Sequence, residues 1–356
     1  MNLIKKYWKL LLSIAIPIVV AGITLLILTA LLQHPKTAIA HVSGTSSTTK
    51  STETKTTATS DNSIPTPVPG LQLDTNKKYG DKYASGILPV GDNKYLTDSQ
   101  KVGYVYTCTT QSGQGGAGTR GPWFMNNNTE YDVNKKVAVN GSVSWKGSYS
   151  MVISGSNRVI TTNDLPINHT TGIFPIASSD PAYLYDRNPN TIKAQTFVYT
   201  LVATPTAASS PGCLNGGVIG VMTTGVALFD AFDAGGRDAG AWEVQDSCSG
   251  HPQQEGQYHY HSLSKCITDI NIQTVIGYAI DGYPITGPTI ASGNVLTTND
   301  LDECHGIVSQ INLDGKLMTS YHYVMTQDFP YSISCYHGTA TTAPGAVKGQ
   351  GLPPKA

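Results

Sequence analysis

Charge is scarce in this sequence: only 13% of its residues are Asp, Glu, Lys or Arg, and the formal net charge is −1. No basic stripe appears after residue 40, which argues against nucleic acid as a partner, because phosphate backbones are gripped by clustered Lys and Arg. The chain has no Gly-x-Ser-x-Gly elbow for a serine hydrolase. The glycine-rich stretch 113–118 lacks the Lys-Ser/Thr ending of a phosphate-binding loop and reads as a flexible loop. No loop combines acidic residues, a central Gly and a terminal Glu as a calcium-binding helix–loop–helix does. A Cys-x-x-Cys pair is also missing, which leaves a thiolate metal site without its usual frame. No long amphipathic helix can be traced after residue 40.

What is present starts with a membrane signal. Lys5, Lys6 and Lys9 precede residues 10–32, an uncharged run rich in Leu, Ile, Val and Ala. At about 1.5 Å per residue such a run makes a helix long enough to cross a bilayer, with the lysines on the cytoplasmic side. Ala38-Ile39-Ala40 has the small-x-small pattern of a cleavage site, so residues 1–40 are expected to be a retained anchor or a signal peptide cut after Ala40. Residues 43–62 are mostly Ser and Thr and run into Ile64-Pro65-Thr66-Pro67-Val68-Pro69-Gly70. Such a stretch cannot form a core, so 41–75 is expected to be a disordered spacer, 76–345 the globular part, as one domain or two divided near 205, and 346–356 a flexible tail. The globular part is then membrane-tethered or secreted, and in either case outside the cytoplasm.

Six cysteines, Cys108, Cys213, Cys248, Cys266, Cys304 and Cys335, make an even number in an exported chain, which points to disulfides. Of the 15 possible pairings, Cys248–Cys266, Cys304–Cys335 and Cys108–Cys213 are expected, because the first two bracket short motif-bearing segments. Short alternating segments at 137–139, 143–145, 149–153, 158–161 and 196–203, separated by Gly, Asn, Asp and Pro, predict an antiparallel sheet protein. Residues 218–229 and 275–280 read as more buried strands, and 229–241 has room for one short helical turn. The fold class expected is mostly β, a loop-rich, disulfide-stapled, sandwich-like antiparallel domain behind the N-terminal helix.

Tyr258-His259-Tyr260-His261 carries the sharpest chemical signal. On a strand, side chains alternate, so His259 and His261 share one face and the tyrosines the other. Two imidazoles so placed can chelate one ion, copper or zinc. His251 lies in a preceding loop that a Cys248–Cys266 bridge folds back beside them, and His322, between Tyr321 and Tyr323, is a fourth candidate. The plain alternative is a hydrogen-bonded polar layer of structural histidines. Tyr321-His322-Tyr323-Val324 echoes the tetrapeptide, an echo that chance recurrence in a Tyr-rich chain explains as readily as a decayed duplication.

Carboxylates gather around a glycine turn at Asp230, Asp233, Asp238, Glu243 and Asp246. Asp238 and Glu243 are the candidates for proton transfer, while Arg237 pairing with Asp233 or Asp238 to fix the loop is the simpler reading. Asp281-Gly282-Tyr283-Pro284 reads as a turn entering an extended segment.

The ordered series Asn163-Asp164-Leu165-Pro166-Ile167-Asn168-His169, Gly235-Gly236-Arg237-Asp238, Cys248-Ser249-Gly250-His251-Pro252, Gln257-Tyr258-His259-Tyr260-His261 and Gly277-Tyr278-Ala279-Ile280-Asp281-Gly282-Tyr283-Pro284 resembles the YHYH protein family. Tyr185-Asp186-Arg187-Asn188-Pro189-Asn190 and Leu301-Asp302-Glu303-Cys304-His305-Gly306 extend the likeness. The resemblance implies an exported or surface protein without an assigned activity. It draws His169 into the ligand candidates, and it marks Val324 as a departure where related sequences often have a second histidine. Two functions follow as expectations: a metal-binding domain on His251, His259, His261, His322 and His169, or a non-enzymatic module whose tyrosines and Trp242 stack on cell-wall or surface glycans. A hydrolase using two carboxylates is a third.

Overall fold

A computed structural model describes residues 68–344 apart from 81, 112 and 114. The apolar run 10–32, most of the spacer and the tail lie outside the described residues. Among the described residues no helix is long and apolar enough to cross a membrane.

The architecture turns on one eight-stranded sheet. From edge to edge its strands are Gly250–Pro252, Tyr258–Tyr260, Ala227–Phe229, Val218–Met222, Val275–Ala279, Pro284–Thr286, Lys316–Val324 and Gly306–Leu313. Neighbours pair antiparallel except at two places, Ala227–Phe229 with Tyr258–Tyr260 and Pro284–Thr286 with Lys316–Val324. Every residue of Val218–Met222 is buried, which is why this central strand reads as a continuous apolar run without alternation. The three-stranded sheet of Tyr149–Ser154, Asn157–Thr162 and Phe197–Val202 alternates instead, with Phe197, Tyr199 and Leu201 inward and their neighbours exposed. Three smaller sheets complete the β structure. The largest apolar cluster joins Ile219, Val221, Ile276 and Ile285 to buried tyrosines of the large sheet.

The mostly-β, antiparallel-rich expectation holds, and so do all three disulfides: Cys108–Cys213, Cys248–Cys266 and Cys304–Cys335. The described strands form one broad sheet and four small ones, without the two matched layers of a closed sandwich.

Several local readings change. Residues 218–229 are a hairpin, because Gly225 at φ +87° reverses the chain between two strands. Segments 137–139 and 143–145 contribute only the isolated bridges Val139 to Asp246 and Val143 to Thr171. The longest hairpin, Gly306–Leu313 with Lys316–Val324, was not foreseen, although Asp314-Gly315 at positive φ is a strong hairpin turn. The helical turn is real: Ala239–Trp242 is capped by Asp238, whose side chain accepts from Ala241 N.

Candidate metal centre

Three histidines converge because of how two short strands pair. His251 on Gly250–Pro252 lies directly opposite His259 on Tyr258–Tyr260, so both project from the same face, and His261 follows two residues along that face. All three are buried. Glu243, the residue after the helical turn, reaches in from the side: its Oε2 is 3.3 Å from His251 Nε2 and 3.4 Å from His261 Nε2. His259 Nε2 and His261 Nε2 are 3.0 Å apart.

The scaffold around these groups is rigid. Asp246 Oδ1 accepts from Cys248 N and Gly250 N, and its Oδ2 accepts from Gly172 N and from Tyr258 Oη at 2.8 Å. Ser249 takes a left-handed φ of 63° within this loop, and the Cys248–Cys266 bridge staples the loop to the far side of the strand. Phe229 stacks on His259 with ring centroids 3.8 Å apart.

Hydrogen bonds fix the tautomers. His259 Nδ1 donates to Gln257 O, and His261 Nδ1 donates to Asp230 O, because a carbonyl oxygen only accepts. Each Nε2 is therefore left with a lone pair aimed at the other. Burial pushes His251 and His259 well below the ordinary imidazole range and His261 down to about 4, so at neutral pH no extra proton sits between them. Burial also holds the Glu243 carboxyl well above its ordinary range, with Asp233 and Asp186 adding repulsion. Glu243 Oε2 and His251 Nε2 are buried with no hydrogen-bond partner. One proton can satisfy a single pair of these atoms. A cation can satisfy the three imidazole nitrogens at once, with the carboxylate beside two of them.

The spacing suits that cation. Tetrahedral coordination at about 2.0–2.1 Å places donors about 3.3–3.4 Å apart; three contacts in the cluster are 3.0, 3.3 and 3.4 Å, and the three imidazole ligand atoms lie within 4.8 Å of one another.

The other candidates fall elsewhere. His322 Nδ1 meets Thr286 Oγ1 at 2.9 Å and its Nε2 meets Ser309 Oγ at 2.8 Å, so both nitrogens are spoken for by hydroxyls. His169 meets Thr170 O and Tyr260 Oη on the tyrosine side of the strand. Its ligand atoms also lie near Cys248 and Cys266, but those sulfurs are bonded to each other. Asp238 accepts from Tyr331 Oη at 2.7 Å and Gly91 N at 2.8 Å and serves as the helix cap. Arg237 pairs with Asp233 at 2.7 Å, which fixes the glycine turn as the simpler reading held. Trp242 is 6% exposed, has the guanidinium groups of Arg120 and Arg237 over its ring at 4.5 and 4.4 Å from the centroid, and donates Nε1–H to Asp92. It has no face free for a sugar. The Phe229 stack and the anchoring role of Asp246 escaped the sequence reading, since neither residue carries a spacing signal of its own.

Residues 198–295 match the model of the YHYH protein family, which bears out the resemblance seen in the motif series. His251, His259, His261 and Glu243 all fall inside the matched stretch. His169 and His322 fall outside it. No curated protein and no solved structure matches the chain.

Proposed function

We propose that this chain of the YHYH family is a metal-binding protein whose ligands are His251, His259 and His261, with Glu243 on the fourth side, and that the ion is copper or zinc. One observation carries the reading: three buried imidazoles bring their ligand nitrogens within 4.8 Å of one another, and Glu243 Oε2, buried and without a partner like His251 Nε2, lies 3.3–3.4 Å from two of them. Imidazole-rich sets suit both ions. When bound, the ion supplies the positive charge that this cluster lacks. The chain's own part is to present His259 and His261 in a fixed tautomer beside His251, exclude water through burial and the Phe229 ring, and hold the Glu243 carboxyl beside them. We also place this domain outside the cytoplasm, delivered by residues 1–40. Three disulfides with no free cysteine among the described residues support an oxidising compartment.

Elemental analysis of the purified full chain, after incubation with zinc or copper and removal of excess, tests the reading. About one equivalent is expected in the native protein and none in a His259→Ala, His261→Ala variant that keeps its fold. Equal, negligible metal in both would overturn it.

A further inference from the structure

The order of strands in the large sheet reads the same from either edge. Each half is a hairpin at the centre, an outer edge strand, and a strand inserted between them that pairs parallel with the hairpin and antiparallel with the edge. The halves meet where Val221 lies opposite Tyr278, Gly220 opposite Ala279 and Met222 opposite Gly277, the pattern of a two-fold axis through the sheet.

The correspondence extends to single residues. Val218-Ile219-Gly220 returns as Val275-Ile276-Gly277, and both hairpins slip register at that point. Gly225 at φ +87° answers to Gly282 at φ +92°. Asp246-Ser247-Cys248-Ser249-Gly250 answers to Asp302-Glu303-Cys304-His305-Gly306, and a helical turn precedes each. Each Asp accepts from the backbone of its Cys and its Gly, and the residue between them takes a positive φ in both loops. A Cβ on Gly250 would sit 2.2 Å from Tyr258 Cζ, and one on Gly306 would sit 2.2 Å from Tyr321 Cζ. Tyr258 and Tyr321 donate to Asp246 and Asp302. Tyr260 and Tyr323 donate to Thr224 and Asp281, which are matched positions on the two turns. Each loop cysteine is bridged to a cysteine beyond its Tyr-His-Tyr strand.

We infer that the sheet is two copies of one metal-holding unit and that the second copy retains the pocket but not the ligands. The ladder sets His322 where His259 stands, Ile307 where His251 stands and Val324 where His261 stands. Ile307, His322 and Val324 are all buried, so the pocket has been filled with aliphatic side chains rather than opened to solvent. The remaining imidazole is held by the hydroxyls of Thr286 and Ser309. The second pocket is thus a latent site for a divalent cation of the zinc class, two substitutions from a three-imidazole set.

The inference rests on the metal reading of the first site, and cobalt(II) titration separates the two. Its visible band reports tetrahedral coordination, and the full chain is compared with an Ile307→His, Val324→His variant. The expected result is one equivalent in the native chain, one in a His322→Ala variant, and two in the double variant. One equivalent in both the native chain and the folded double variant would overturn the inference and leave the first site standing. No binding by the native chain with one equivalent in the double variant would overturn the first site and keep the latent one, and no binding by either would overturn both. If the double variant does not fold with all six cysteines oxidised, Val324→His alone, which restores a second Tyr-His-Tyr-His, must show a weaker second equivalent. A folded Val324→His chain with only one equivalent would then overturn the inference.

Discussion

Glu243 Oε2 stands 3.3 Å from His251 Nε2, and neither atom has a hydrogen-bond partner. Such an arrangement costs stability without a cation and contributes binding energy with one. Glu243→Gln is therefore expected to raise the stability of the metal-free protein by about 1–3 kcal/mol, since it removes a desolvated carboxyl. The same change should weaken zinc affinity about 10–100-fold. Thermal melts with and without zinc give opposite signs for the two effects.

The two short-range disulfides offer a contrast. Cys248–Cys266 closes a separation of 18 residues around the strands that bear His251 and His259, and Cys304–Cys335 closes one of 31 in the other half. Replacing either pair by serine should cost about 3–4 kcal/mol. Only the first replacement should also loosen metal binding, as measured by competition with a chromophoric chelator. Equal affinity losses in both variants would count against the placement of the site.

His322 gives a pH signature independent of metal. Burial pushes its imidazole down to about 4, while an unfolded chain titrates near 6.5. A depressed folded value means that its contribution is complete above about pH 6.5 and is lost as pH falls toward 4, at up to about 1.4 kcal/mol per pH unit. His322→Gln removes that dependence. The stability gap between native protein and variant, from urea melts at pH 7, 5.5 and 4, should shrink by roughly 3 kcal/mol over that window.

Trp242→Ala separates a packing role from a sugar-stacking one. The indole is buried, packed against two guanidinium groups and bonded to Asp92, so its truncation should cost about 3–5 kcal/mol. Folded protein should show no change in retention on glycan resins. Glycan binding that disappears at full stability would contradict the buried position.

The sequence allowed much of this site to be read in advance because its signals are periodic. His259 and His261 share a face through strand alternation alone, and the Cys248–Cys266 bracket pointed to His251. His322 misled for the same reason: Tyr-His-Tyr spacing fixes which face a histidine takes, but not what stands opposite. That depends on the partner strand, where Ile307 faces His322 and His251 faces His259. Glu243 stood out as a carboxylate, yet its meeting with the imidazoles is set by a helical turn whose direction no local pattern encodes. The sheet's order was likewise hidden. Two parallel pairings join strands that are distant in sequence, whereas the Asp-Gly turns at 281–282 and 314–315 advertise only their own hairpins.

The tyrosine hydroxyls described above divide the labour of the tetrapeptide. Tyr258 and Tyr323 reach the buried carboxylates of Asp246 and Asp281, Tyr321 reaches the half-buried Asp302, and all three so clamp their strands. These clamps do not pass through the histidines interleaved with them. A strand built this way can lose, keep or exchange an imidazole while its tyrosine clamps persist. In this chain the tyrosines mark the two corresponding strands, and the residues interleaved with them set what each strand can hold.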